Sequence, residues 1–386
     1  MARIILGVTG GIAAVKAPGL LRSLKKNGHE IVPVLTNSAR DFITPMSMSV
    51  LAQHEVPDAH VGPDGSITHL ELAKTADILL IAPATANFMA KCAHGLADDL
   101  LSQIFLAFKG TVIMAPAMHT EMYTHPMTQS NIQRLKQIGV QILGPISGEL
   151  ACEDEGLGRM LEPDDIAQYI DYKVTQPDSL SGKRVLITAG GTREMMDSVR
   201  CITNLSSGKL GEHLANYAHA NGATVTLISS QDQQSSWPYT HVKVSDTSSL
   251  QEALKKEAAS ADIIYMAAAV SDFTLNKADH KLSRSSQARL DLIPTNDLLS
   301  QLTDRYPEKR TVGFCLTDRD LKRSAQSKLV KKNVDFMVAN TPASFGQDKR
   351  SLMILKRGET QPLSSLEQVP ITDAVRQIVS LTTADV

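Results

Sequence analysis

Two Rossmann-like, three-layer α/β domains with mostly parallel sheets are predicted by three observations. Short β-rich apolar runs alternate with segments of helical apolar spacing, the pattern of βαβ units. The opening RIILGVTGG returns near residue 184 as RVLITAGGT, and NGHEIVPVLT returns as NGATVTLISS. The polar stretch Tyr172–Lys183, with one proline and one glycine, lies between the copies as a linker would. The domains are expected at about 1–175 and 182–386, and a chain of 386 residues suits two units. The alternative is one continuous sheet.

The elements follow in order. Arg3–Thr9 is a β-rich apolar run, broken by Gly10-Gly11. Ile12–Lys26 carries helical spacing and stops at Asn27-Gly28. His29–Leu35 is the second strand, with further strands expected at Asp77–Ala82 and Thr111–Ala115. Ala86–His94, Asp99–Phe108 and Thr128–Ile138 read as helices. In the second copy Arg184–Thr188 is a strand, Gly190-Gly191 a turn and Lys209–Ala220 a helix ending at Asn221-Gly222. Ala223–Ser229 is the next strand, and Thr192–Leu205 is an insertion between turn and helix.

Composition narrows the function. The 39 basic residues are matched by 41 acidic ones, so no basic excess coats a nucleic acid, and no nucleic-acid partner is expected. Apolar runs such as Ile78–Ala84 fall far short of the roughly 20 residues a membrane-spanning helix requires, so no membrane partner is expected. Gly10-Gly11 interrupts the apolar start and no basic leader precedes it, which argues against a secretory signal. Cys92, Cys152, Cys201 and Cys315 have neither metal-ligand spacing nor a paired pattern, so a reduced, cytoplasmic protein is expected. No metal ligands can be assigned from the sequence.

In the first half, Gly10 and Gly11 between a strand and a helix let backbone N–H groups approach an anion. The turn is not G-x-G-x-x-G, and no acidic residue ends the second strand to hold a ribose, which weakens a nicotinamide-dehydrogenase reading. Thr36-Asn37-Ser38 offers small polar groups instead, suiting a single phosphate. A tight turn in any α/β fold has the same look, so the motif alone leaves both readings open. Ala84-Thr85 and Ala117-Met118-His119 follow the third and fourth strands, where open parallel sheets bind ligands, and their small residues admit a flat ring. Gly156–Met160, preceded by Ala151-Cys152, has the look of a flexible flap carrying a thiol. In the second half, Ser206, Ser207, Gly208 and Lys209 open a helix as a polyphosphate cradle would, without the P-loop spacing. By itself SSGK is equally helix-capping chemistry.

TGGIAAVK, THLELAKTAD, APATANFMAKCAHGLADDLL, APAMHTEMY and ACEDEGLGRM together resemble the flavin-dependent cysteine decarboxylase family. LITAGGTRE with ITNLSSGKLG resembles the phosphopantothenoylcysteine synthetase family. In this order they are similar to the bifunctional decarboxylase–ligase family of coenzyme A biosynthesis. For the first half the resemblance implies FMN bound between subunits of a trimer. FMN takes a hydride from the substrate's cysteine Cβ, and the resulting thioaldehyde is the electron sink for loss of CO₂. His69 matches the family's active-site histidine and Cys152 its proton donor. His119 stands where the family has an asparagine contacting the substrate carboxylate, and Glu153 where it has a glycine.

For the second half the resemblance implies a dimeric ligase using CTP and Mg²⁺. It activates the carboxylate of 4′-phosphopantothenate as an acyl-cytidylate that the amino group of cysteine attacks. Asn204 matches the asparagine assisting turnover of that intermediate, Asp272 the aspartate binding CTP and Lys281 the lysine facing its phosphates. Thr295, Asn296, Asp297, Leu298, Phe314, Lys328 and Lys332 match other nucleotide contacts, and Lys328, Lys331 and Lys332 are spaced for one helical face. A solvated charged face is the ordinary alternative. TREMMDSVRCITN and Lys281-Leu282-Ser283-Arg284 depart from the family pattern at flanking positions. Two rivals remain at this point: a flavoprotein decarboxylating another cysteine-terminated substrate beside a weakened ligase, and a non-enzymatic flavoprotein regulator.

Overall fold

The computed structural model describes residues 1–58, 61, 66–150, 154–175, 178–231, 236–281, 290–317, 320–342 and 349–384. It divides into two compact units, 1–174 with 236–238, and 175–235 with 239–386.

In the first unit, β1 (Arg3–Val8), β2 (Glu30–Leu35), β3 (Ile78–Ala84), β4 (Thr111–Pro116) and β5 (Gln141–Ile142) form one sheet in the order β2-β1-β3-β4-β5. All pairings are parallel, with Ile4 opposite both Ile31 and Ile78. Parallel strands buried on both faces read as continuous apolar runs, as ILLIAPA of β3 does throughout its length. Ile5, Leu79, Ile81 and Met114 pack with Phe88 and Ile104 from the flanking helices Ala86–His94 and Leu100–Ala107. The expected helix Ile12–Lys26 is in fact a 3₁₀ turn, Ile12–Lys16, followed by an α-helix, Ala17–Lys26. Pro18 sits in the α-helix's first turn, where a missing N–H costs nothing. The strand order reverses between β1 and β3, and right-handed crossovers then place helices on opposite faces and open a crevice at those strands' carboxyl ends. A hairpin of β6 (Ile146–Glu149) and β7 (Glu155–Arg159) follows, so the expected flap is a β-ribbon in its described part.

In the second unit, β8 (Arg184–Ala189) starts the sheet, and the insertion folds as a hairpin of β9 (Arg193–Met195) and β10 (Cys201–Thr203). The sheet continues with β11 (Thr224–Ser229), β12 (Thr240–Lys243) and β13 (Ile263–Met266). A short pair, β14 (Phe273–Thr274) and β15 (Ile293–Pro294), lies outside it. The rest of the sheet is β16 (Arg310–Leu316), β17 (Phe336–Asn340), β18 (Lys349–Lys356) and β19 (Ser364–Pro370). The order is β12-β11-β8-β13-β16-β17-β18-β19, parallel except for β18 and β19. The order reverses between β8 and β13, as it does between β1 and β3. Two separate sheets replace the single continuous sheet held open as an alternative.

Candidate active sites

In the first unit the crevice at β1 and β3 is laced by hydroxyls. The Thr9 hydroxyl donates to the Pro83 carbonyl at 2.8 Å and accepts the Thr85 N–H at 3.1 Å. These two bonds tie the turn after β1 to the turn after β3. Thr85 also caps the helix Ala86–His94 by accepting the Phe88 N–H. Thr36 is held by its N–H on the Val8 carbonyl at 3.1 Å, and its hydroxyl lies 3.3 Å from that of Ser38. Gly10 runs so close to Ser38 that a β-carbon there would lie 2.5 Å from the Ser38 Cβ and Oγ and 2.6 Å from its carbonyl carbon. Only glycine fits. Gly11 follows in extended backbone, which any residue adopts.

Ala84 is fully buried, and its carbonyl accepts the Ala117 N–H at 3.1 Å, joining the turns after β3 and β4. Met118 donates its N–H to Gly158 of β7 at 3.0 Å, laying the hairpin beside His119. His119 Nδ1 accepts the Glu121 N–H at 3.3 Å, and its Nε2 lies 3.1 Å from the Asp154 carboxylate. His69 occupies the first turn of the helix Thr68–Thr75, with its Nδ1 buried and, among the described residues, without a hydrogen-bond partner. Cys152 and Glu153 lie outside the described residues.

The second unit repeats the scheme. The Ala269 N–H reaches the Gly190 carbonyl at 2.8 Å, and Gly191 pairs in parallel with Ala269, zipping the turns after β8 and β13. Asn204 donates both hydrogens of its amide, to the carbonyls of Ala269 (3.2 Å) and Val270 (3.1 Å). Its Nδ2 has no hydrogen left, so Asn204 presents an acceptor, Oδ1. Ser206 gives its N–H to the Asn204 carbonyl and accepts from Gln231 Nε2 at 3.3 Å on its own carbonyl. Gly208, at φ +72°, takes the N-cap of the helix Lys209–Ala220 with no side chain capping it. Ser207 and Lys209 flank it, exposed. A 12-residue helix start without a side-chain cap offers its N–H groups and positive dipole end to an anion.

A second group joins through the segment after β13. The Thr295 hydroxyl donates to the Ser271 carbonyl (2.6 Å) and its N–H to the Asp272 carbonyl (3.0 Å). Asp297 caps the helix Leu298–Arg305 through Ser300 and is ion-paired with Lys332. Burial opposes ionisation of Asp297, but Lys332 and Ser300 prevail and hold its carboxyl below the ordinary carboxylate value. Leu298 is buried in the core, leaving only its backbone available, and Asn296 is exposed. Lys332 is the C-cap of the helix Leu321–Lys331, and its N–H still bonds the Lys328 carbonyl at 2.9 Å, so the helical spacing of Lys328 and Lys332 is kept to the last turn. Among the described residues no hydrogen bond or ion pair joins Lys281, Phe314 or Lys328 to this set; Lys281 is exposed and Phe314 half-buried on β16.

Sequence reasoning missed two features. Glu194, buried, accepts from the Thr247 N–H (3.0 Å) and hydroxyl (2.8 Å) and from the Thr274 hydroxyl (2.7 Å). Thr192 Oγ1 accepts the Ser271 N–H at 2.9 Å, so TRE braces the segment carrying Asp272 from beneath. The only signal was the motif itself. Asp154 as the partner of His119 has no sequence signal, since hairpin pairing sets it.

Two α/β units, each with a glycine turn at its own sheet's reversal point, define a tandem of Rossmann-like ligand-binding halves. The family described as Flavoprotein matches residues 1–175, and the family described as DNA/pantothenate metabolism flavoprotein C-terminal domain matches residues 180–382. The coenzyme A biosynthesis bifunctional protein CoaBC of Vibrio parahaemolyticus is 40% identical over 89% of this chain and 88% of its own length. Its counterpart in Vibrio cholerae is 39% identical over 94% of both chains, and that of Bacillus subtilis 37% identical over 98% of this chain and 96% of its own. The chain belongs to this bifunctional coenzyme A biosynthesis family, which combines a decarboxylase with a phosphopantothenate–cysteine ligase. Relatives matched along nearly their whole length do not favour the single-activity or regulatory rivals. Among the described residues no helix is long and apolar enough to cross a membrane.

Proposed function

We propose that the chain makes 4′-phosphopantetheine from 4′-phosphopantothenate and cysteine, with residues 182–386 ligating and residues 1–175 decarboxylating. The observation that carries this reading is the placement of each glycine turn at the reversal point of its own sheet, where open parallel sheets bind ligands.

The first crevice fits FMN. The Gly10 cradle, which a β-carbon would fill, and the Thr36 and Ser38 hydroxyls suit one phosphate, and Ala84 and Ala117 leave room for a flat ring. When bound, the flavin supplies the two-electron chemistry that makes the substrate's carboxylate labile. Thr9 and Thr85 hold the two turns at a fixed separation. His119 offers its Nε2–H to the substrate carboxylate, His69 orients the substrate or acts as base, and Cys152 returns a proton to the product.

In the ligase half, the helix start at Ser206–Lys209 would hold the phosphates of CTP, and Mg²⁺ would supply further charge neutralisation there. Lys281 neutralises the charge that develops as pyrophosphate leaves. Asn204 Oδ1 can accept a hydrogen bond from the attacking amine of cysteine, a role its occupied Nδ2 could not reverse into oxyanion stabilisation. Asp272, Thr295 to Leu298, Phe314, Lys328 and Lys332 surround the nucleotide. Decarboxylase trimers, ligase dimers and a cytoplasmic homo-oligomer complete this reading.

The test is one assay of the full-length protein with FMN, 4′-phosphopantothenate, cysteine, CTP and Mg²⁺, followed by mass. A product lighter than phosphopantothenoylcysteine by CO₂ is expected. Accumulation of the undecarboxylated thiol would sink the first-unit reading, and no coupling would sink the second.

A further inference from the structure

We infer that the Asp154 carboxylate is a placeholder for the substrate carboxylate on His119, taking the imidazole hydrogen before the acid binds and again after CO₂ has left. This rests on the decarboxylase reading above.

The tautomer follows from the partners. Nδ1 accepts the Glu121 N–H, so it carries no hydrogen, and in the neutral ring the hydrogen is on Nε2. Nε2 faces Asp154 Oδ2 at 3.1 Å and therefore donates to it. The ring has one donor, and a carboxylate of the same chain occupies it. A substrate carboxylate approaching that donor meets an acceptor of its own chemistry already in place.

The hairpin sets this placement. The Asp154 carbonyl accepts the Leu150 N–H at 2.8 Å, and Met118 binds Gly158 at 3.0 Å, so backbone bonds put Asp154 next to the residue after Met118. The two side chains are 35% and 67% exposed, so ligand and water both reach the pair. A solvent-exposed hydrogen bond of this kind is weak and exchangeable, worth about two- to five-fold in binding. The acid substrate must displace Asp154. The product has no carboxylate with which to compete, so Asp154 recovers the donor without affecting how the product is held. Asp154 is thus a positioning residue acting through His119.

The test uses the full-length, flavin-loaded protein and a probe that cannot turn over, the serine analogue of phosphopantothenoylcysteine, which keeps the carboxylate and lacks the thiol. Asp154→Asn and Asp154→Ala should tighten the probe about two- to five-fold, leave binding of the decarboxylated product unchanged and lower KM without raising kcat. In a His119→Ala background the same changes should have no effect. Unchanged or weaker probe binding in folded variants with wild-type flavin content would overturn the inference, as would tightening that persists without the imidazole, since that is general charge repulsion. Failure of the decarboxylase reading shows separately, as wild-type protein that loads flavin and releases no CO₂ from phosphopantothenoylcysteine.

Discussion

Replacing Gly10 with alanine tests whether the first turn is a cofactor cradle or only a chain reversal. The new β-carbon would lie 2.5 Å from Ser38 Cβ and Oγ and 2.6 Å from the Ser38 carbonyl carbon. Carbon contacts are favourable at about 3.5–4.0 Å, so the turn must open by roughly 1 Å. The hydroxyl can rotate aside, but the carbonyl carbon cannot. Ser38 lies in the 3₁₀ turn Asn37–Asp41, where Ala39 is fully buried and bonded to the Thr36 carbonyl at 3.0 Å. Thr36 is in turn bonded to Val8 at 3.1 Å, so the segment resists at both ends. Overpacking of this kind costs about 1–3 kcal/mol. Borne by the turn that holds the phosphate, it lowers flavin affinity about 5- to 150-fold. Flavin retained through gel filtration and a fluorescence titration of the stripped protein measure this, with CTP-dependent pyrophosphate release as the internal control. Wild-type flavin affinity at unchanged thermal stability would refute the reasoning.

Lys281→Gln should reduce CTP-dependent pyrophosphate release by about 10²–10³-fold while decarboxylation of preformed phosphopantothenoylcysteine continues; equal loss of both would point to misfolding instead. The pair of Asp297 and Lys332 makes an acid-dependent prediction. Its carboxyl is held below the ordinary value of 3.8, so its stabilisation is present above that pH and lost as pH falls through the lowered value. Lys332→Gln should therefore cost under about 1 kcal/mol at neutral pH, screened by solvent, and the difference from wild type should close in acid melts; a pH-independent gap would count against it. Burial, with Asp99 adding to it, pushes the Cys92 thiol well above its usual value, and Cys315 is also buried, whereas Cys201 is exposed. Of these three, Cys201 should be alkylated first by iodoacetamide, and early modification of Cys92 would contradict its packing.

The periodic parts of the fold were legible because local chemistry sets them. Apolar runs such as ILLIAPA have no stable place but a buried parallel strand, and Asn-Gly pairs stop helices wherever they occur. The helix boundary at Ile12–Lys26 moved because Pro18 selects where the α-helix can begin, a constraint that apolar spacing does not register. The antiparallel strands β18 and β19 were not read at all, since their pairing is a long-range contact.

The candidate sites divide in the same way. Alone, the sequence determined that glycine turns follow β1 and β8 and that small or hydroxylated residues follow β3 and β4, because these are properties of neighbouring residues. It could not say which side chains satisfy one another. Only the tertiary structure decided that Thr9 spans to Thr85, that both hydrogens of Asn204 are taken by Ala269 and Val270, that Glu194 braces Thr274, and that Asp154 holds the single donor of His119. Hydrogen bonds saturate, so which atom is left to meet a ligand depends on partners 35 to 80 residues away, and chain folding alone brings those into reach.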